Sequence, residues 1–179
     1  LIRSIHAWSA NLMVFFAFGG RNILIPSPRP LANLKQALTT EGATWLTGVN
    51  TLFGLDGADT LDGGLGADTL QGGAGADTYV FSTALGGGNV DAIVGFSVVD
   101  DTIQLNNAVF TGLSTGALGP GAFVIGAAAA DADDRIIYNS GTGQLYFDAD
   151  GNDVGAAILF ATLSPGLALT SADFIVGGP

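Results

Sequence analysis

A nine-residue period runs through the middle of the chain, and it limits the fold more than any other feature. Asp59, Asp68 and Asp77 stand nine apart. So do Gly54, Gly63 and Gly72, and Gly57, Gly66 and Gly75. Ala58, Ala67 and Ala76 keep the same phase, as do Thr60, Thr69 and Thr78. Leu61, Leu70 and Tyr79 form one apolar column, and a fainter copy precedes them in Gly48, Asn50, Thr51 and Leu52. Repeats of fixed length stack, because one unit alone cannot bury its apolar face. Turns assembled by chance from Gly and Asp would not hold so many columns in phase.

Each unit divides into a glycine-rich hexapeptide ending in Asp and a tripeptide with one inward apolar residue, as in Gly72-Gly-Ala-Gly-Ala-Asp77 followed by Thr78-Tyr-Val80. Glycine permits positive φ, so the backbone can curl until its carbonyl oxygens converge. Calcium is a hard cation that takes six to eight oxygens at about 2.3–2.6 Å. Curled carbonyls and one carboxylate supply about half of such a shell, and a second stacked turn supplies the rest.

Charge points the same way. All 16 acids follow position 40, and the only base after Lys35 is Arg135, so residues 36–179 carry a formal −15. Such a surface repels nucleic acid and anionic lipid and attracts cations. Cysteine is absent, which excludes disulfides and thiolate metal sites. No run reaches the roughly 18 apolar residues of a membrane span. Leu12–Phe18 is apolar over seven residues, too short for a span and at most the core of a weak export signal.

The pattern G-G-x-G-x-D, any residue, a large apolar residue, any residue resembles the nonapeptides of the repeats-in-toxin (RTX) family. Gly63–Gln71 and Gly72–Val80 match it throughout. Gly54–Asp62 has Leu55 where the second Gly belongs, and Trp45–Phe53 keeps Gly48 and Leu52 with Asn50 replacing Asp. The resemblance implies an all-β fold: a short right-handed parallel β-roll of about two coils, continuing into a C-terminal β-sandwich-like domain. It implies Ca2+ between each loop and the next loop but one, so that Asp59 pairs with Asp77 and Asn50 with Asp68. The ligand positions carried over are Asn50, Gly54, Asp56, Gly57, Asp59, Gly63, Leu65, Gly66, Asp68, Gly72, Ala74, Gly75 and Asp77. Asp91-x-Ile93…Phe96…Asp101-x-Ile103-x-Leu105 resembles the stretch that follows such repeats, which makes Asp91 and Asp101 further candidates at the end of the roll. Gly86-Gly-Gly-Asn-Val-Asp91 keeps the double Gly and the Asp, but Asp91 follows Asp77 later than the nine-residue period asks.

Three zones follow: 1–41, a basic segment with Pro26, Pro28 and Pro30; 42–81, the repeat; and 82–179, a β-rich cap or secretion domain. In the first zone Leu31–Leu38 reads as a short helix. In the third, strands are expected at Asp91–Phe96, Asp101–Leu105, Ala156–Leu163 and Phe174–Val176, with a hairpin joining Arg135–Asn139 to Gln144–Asp148. Ala127–Ala130 reads as a loop or a turn of helix. Asp148–Asp153 fails as an EF-hand, because that loop needs Gly at its sixth and Glu at its twelfth position, and reads as an acidic turn.

The resemblance further implies a secreted protein of a Gram-negative bacterium, exported unfolded by a type I exporter and folding on external calcium. Asp173-Phe-Ile-Val176 has the form of such an exporter's C-terminal signal, although Gly177-Gly-Pro179 trails it. Serralysin-type protease chemistry needs H-E-x-x-H, which one histidine, His6, cannot supply. No G-x-S-x-G is present for a serine hydrolase. The sequence therefore reads as a non-enzymatic calcium module, with the tail of a metalloprotease or a calcium-stiffened adhesin as the competing contexts.

Overall fold

The protein is represented by a computed structural model that describes Phe15–Phe18, Arg21–Leu24 and residues 51–178. Asn50, His6, Gly48 and the helix expected at Leu31–Leu38 lie outside the described residues. The chain forms two compact units, Leu1–Leu46 and Thr47–Pro179. In the first, β1 (Phe15–Phe18) and β2 (Arg21–Leu24) pair antiparallel, with Phe15 opposite Leu24. β1 occupies the second half of the apolar run at Leu12–Phe18.

The second unit starts with the repeat. Its tripeptides become strands β3 (Thr51–Asp56), β4 (Thr60–Asp62), β5 (Thr69–Ala74) and β6 (Thr78–Phe81). β3 pairs with β5 in parallel, Thr51 against Thr69 and Leu52 against Leu70. β4 pairs with β6, Thr60 against Thr78 and Leu61 against Tyr79. Both registers advance by two units of the repeat, so two nonapeptides make one coil and odd and even units build opposite sheets. Period-2 side-chain alternation puts the single apolar residue of each unit inside. Leu52, Leu61, Leu70 and Tyr79 are all buried.

The coil does not stop where the repeat does. β7 (Asp91–Ile93) pairs in parallel with β5, and β8 (Thr102–Leu105) with β6, Tyr79 against Ile103. A fourth rung comes from far along the chain. β13 (Ile158–Thr162) lies beside β7, and β14 (Phe174–Val176) lies beside β8, both parallel. Between the third and fourth rungs come β9 (Gly116–Ala117), β10 (Phe123–Ile125), β11 (Ile136–Asn139) and β12 (Gln144–Phe147). They extend the same two sheets, whose orders are β10-β11-β12-β13-β7-β5-β3 and β4-β6-β8-β14-β9. The strands of 82–179 thus join the roll's own sheets and form no sheet apart from them. The β11–β12 hairpin is antiparallel as expected, and Ala127–Ala130 is a loop. Among the described residues there is no α-helix, and so none long and apolar enough to cross a membrane.

One apolar cluster fills the space between the sheets, from Leu52 in the first coil to Phe174 in the last. Phe81 of β6 meets Phe160 of β13 edge to face at 5.0 Å, and Phe110 packs on Phe160 and Phe147 at 5.1 Å each. Two coils alone bury little. Burying each of these aromatic side chains is worth about 1.5–3 kcal/mol, and that burial ties the repeat to the strands after it.

Candidate metal centre

The glycine-rich hexapeptides form the turns between the sheets, and their backbone is curled as the sequence requires. Gly57, Gly66 and Gly75 have φ of 116°, 123° and 135°. Gly64 and Gly73, at an earlier position of the repeat, have φ of 82° and 111°, and Leu55 is forced to 86° at the equivalent place. Stacking is close. A Cβ on Gly73 would collide with the Leu55 carbonyl oxygen, and one on Gly75 with that of Gly57. Only glycine lets consecutive coils bring carbonyls this near.

The aspartates at the turn ends form two ladders. The Asp59 N–H donates to Asp77 Oδ1 at 3.0 Å, and the Asp77 N–H donates to Asp101 Oδ1 at 3.0 Å. On the other edge the Asp68 N–H donates to Asp91 Oδ1, also at 3.0 Å. Each ladder is reinforced by main-chain bonds: the Asp59, Asp68 and Asp77 carbonyls accept from Thr78, Ala92 and Thr102 at 2.7, 2.8 and 2.8 Å. One carboxylate oxygen of each upper Asp is thereby spent on the coil below.

The second carboxylate oxygens are placed differently. Asp77 is 1% exposed and Asp68 is 6% exposed, and Oδ2 of each is buried with no hydrogen-bond donor. Stranding a buried carboxylate oxygen costs at least about 1–3 kcal/mol, so a cation is the natural complement. Other oxygens converge on the same cradles. A Cβ on Gly54 would stand 2.5 Å from the Gly72 carbonyl oxygen and 2.6 Å from Asp59 Oδ2, and one on Gly72 would overlap Asp77 Oδ2. The donor set is all oxygen, carboxylate and carbonyl, and suits a hard cation.

Electrostatics agree. Burial pushes the Asp77 carboxyl above its ordinary value, offset in part by the Asp59 N–H, and the Asp101 carboxylate pushes it further. Burial raises Asp91 to about 6, with the carboxylates of Asp68 and Asp62 adding to the rise. These groups resist carrying their charges together without a positive partner. Tyr79 closes the inner side: its Oη accepts the Gly72 N–H at 2.9 Å, and burial lifts its hydroxyl to about 12.

The structure brings together Gly54, Gly57, Asp59, Gly72, Gly75 and Asp77 on one edge, with Asp56 and Ala74 paired in register, and Gly63, Gly66 and Asp68 on the other, with Leu65 exposed between them. Asp91 and Asp101 both stack on the ladders, but they differ. Both Asp101 oxygens are engaged, Oδ1 by Asp77 and Oδ2 by the Ser97 N–H at 2.9 Å. Asp62 and Asn89, which the sequence reading did not single out as ligands, accept hydrogen bonds from the Gly64 and Gly66 N–H groups of the same turn. Asp62 Oδ2 accepts from Ser82 Oγ at 2.6 Å, and Asn89 Oδ1 accepts the Gly66 N–H at 2.7 Å. Asn89 lies within the Gly86–Asp91 motif, where a Gly stands in the regular units.

A family model for the RTX calcium-binding nonapeptide repeat, in four copies, matches residues 46–79. Residues 46–79 are RTX calcium-binding repeats. Calcium is therefore the ion that the cradles fit. Over 49 residues, 27% of its length, the chain is also 43% identical to a long-chain-fatty-acid–CoA ligase of Salmonella typhimurium and 41% identical to one of Yersinia pestis. It spans 9% of the length of those ligases. Among solved structures, the AlgE6R3 subunit of the Azotobacter vinelandii mannuronan C5-epimerase aligns with a TM-score of 0.44 at 26% identity, over 70% of this chain and 66% of that one.

Proposed function

We propose that this RTX segment is a calcium-dependent folding module of an exported protein, with no catalytic chemistry of its own. In this reading one ion lies between the loops Gly54–Asp59 and Gly72–Asp77, held by the Asp59 and Asp77 carboxylates and by carbonyls of the turns, among them that of Gly72. The observation that carries the reading is the buried, donorless Asp77 Oδ2 at the edge of a glycine cradle. Without calcium the stacked carboxylates repel one another, and the glycine-rich turns lose much entropy on ordering.

Extracellular calcium modules bind with dissociation constants of about 10⁻⁴–10⁻³ M. At ten times the dissociation constant each ion adds about 1.4 kcal/mol to folding. Sites of that strength stay empty at cytosolic calcium and fill outside the cell, so the chain would remain open for a type I exporter and close after release.

Far-UV circular dichroism during a calcium titration tests this. The β signal should rise at or below millimolar calcium, and magnesium at the same concentration should leave it largely unchanged. An equal response to both ions, or none to either, would count against the proposal.

A further inference from the structure

We propose that a cavity beside β10, built without any residue of the repeat, binds a free α-amino acid with an aliphatic side chain. It shares nothing with the calcium cradles and does not depend on the function proposed above. The cavity has a volume of about 330 Å³, at the lower end of small-ligand sites, which run from about 300 to 1,000 Å³. Three connections wall it: 112–114 after β8, 119–122 between β9 and β10, and the approach to β11 at Asp133 and Arg135. All of them belong to the stretch between the third and fourth rungs, where the chain leaves the roll.

Arg135 is the first observation. It is the only base after Lys35, among acids that give residues 36–179 a formal −15. Yet among the described residues it forms no ion pair. Its side chain makes one hydrogen bond, from Nη1 to the Ala132 carbonyl at 2.7 Å. A guanidinium carries five N–H donors in a planar fork, so most of the fork is unspent. Asp133 lines the same cavity, and only its main-chain N–H is engaged, donating to Asp131 Oδ1 at 2.9 Å. A cation and an anion thus border one space without closing on each other. The guanidinium is held in place beforehand, which lowers the cost of binding. The Arg135 N–H donates to the Ala122 carbonyl at 3.1 Å, and the Arg135 carbonyl accepts the Asp148 N–H at 2.8 Å. Gly112, at φ 87°, keeps the approach clear, since a Cβ there would stand 3.9 Å from Arg135 Nε.

These groups select the ligand. The guanidinium fork takes a carboxylate or a phosphate through two parallel hydrogen bonds. The surrounding negative charge repels a phosphate dianion. A zwitterion carries no net charge into that field, and it brings a carboxylate for Arg135 and an ammonium for Asp133. Leu113, Leu118 and Ala122 line the cavity with apolar surface for an aliphatic side chain, and Leu118 is 4% exposed. None of the lining residues is aromatic, so a nucleobase would find no ring to stack on.

Titration of the full chain with L-leucine in calcium buffer, followed by ¹H–¹⁵N NMR, tests the assignment. Saturable shifts should appear at the Gly112 and Leu113 amides and at the Arg135 Nε–H, while the Asp59 and Asp77 amides stay still. Leucinamide lacks the carboxylate and N-acetyl-leucine lacks the ammonium. Each should bind at least about tenfold more weakly than leucine, because a charge-assisted hydrogen bond is lost. Arg135→Gln should weaken leucine binding by about tenfold or more. Asp133→Asn should weaken leucine and leave N-acetyl-leucine unchanged. The three ligands compared on the wild-type chain give the answer even if a variant does not fold. No saturable shift up to the solubility of leucine would overturn the site, as would equal binding of leucinamide or of inorganic phosphate. N-acetyl-leucine bound as tightly as leucine would overturn it in favour of a peptide C-terminus.

Discussion

Asp77→Asn separates the two tasks of one side chain. Its Oδ1 accepts the Asp59 N–H at 3.0 Å, and its Oδ2 is buried without a donor. The amide keeps an oxygen for the first task and removes the charge needed for the second. In calcium-free buffer the variant should be as stable as wild type or more so, by up to about 1 kcal/mol, because a buried charge without a counter-ion has gone. In calcium the balance reverses. Well above its dissociation constant, each site adds about 1.4 kcal/mol for every tenfold rise in calcium. Losing one site lowers the dependence of stability on log calcium by that amount. For a unit of this size 1 kcal/mol moves Tm by roughly 3–5 °C, so Tm should climb about 4–7 °C less per decade than in wild type. Calorimetric scans from about 1 to 100 mM calcium, spanning the range expected of such modules, read this directly. A variant with the wild-type slope but a lower calcium-free Tm would show that Asp77 is only a hydrogen-bond acceptor, and the ligand reasoning would fail.

Leu55 holds a left-handed φ of 86° at a glycine position of the repeat, so Leu55→Gly should stabilise the folded unit by about 1 kcal/mol in urea unfolding; a loss of stability would contradict the strain. Tyr79→Phe removes the acceptor of the Gly72 N–H and should cost about 1–3 kcal/mol with and without calcium, measured by the same unfolding curves. Asp91, raised to about 6 from an ordinary 3.8, binds its proton more tightly when folded than unfolded. Its contribution to calcium-free stability is therefore fully present below about pH 4 and fades as pH rises through about 6. Calcium binding needs ionised carboxylates, so the calcium-induced rise in Tm should grow between pH 4 and pH 7; an increment independent of pH would count against carboxylate ligation.

The regular coils were legible because their columns repeat. The coil register follows from two nine-residue units, and Leu52, Leu61, Leu70 and Tyr79 fall inside as the pattern requires. The β11–β12 hairpin was legible from Ser140-Gly-Thr-Gly143 between two alternating runs. The third rung was half visible. Gly86–Asp91 kept the motif, but β7 and β8 both come late, and their longer advances broke the period that made the other coils readable. The strands of the fourth rung were expected at Ala156–Leu163 and Phe174–Val176, but their partners left no local signal, since Asp91 meets Ala161 and Ile103 meets Phe174 across long loops. Such pairings are chosen by the shared core, in which Phe81 and Phe160 touch, and not by any neighbouring turn. Asn89 was overlooked because it replaces a glycine of the repeat and looks like a defect, while its side chain restores the missing contact.

A crystal grown in calcium, with anomalous diffraction recorded at long wavelength, shows directly whether the turns hold an ion. An ion is expected between Gly54–Asp59 and Gly72–Asp77, bonded to the Asp59 and Asp77 carboxylates at about 2.3–2.6 Å. An ordered roll in saturating calcium with no anomalous density between those turns would contradict it.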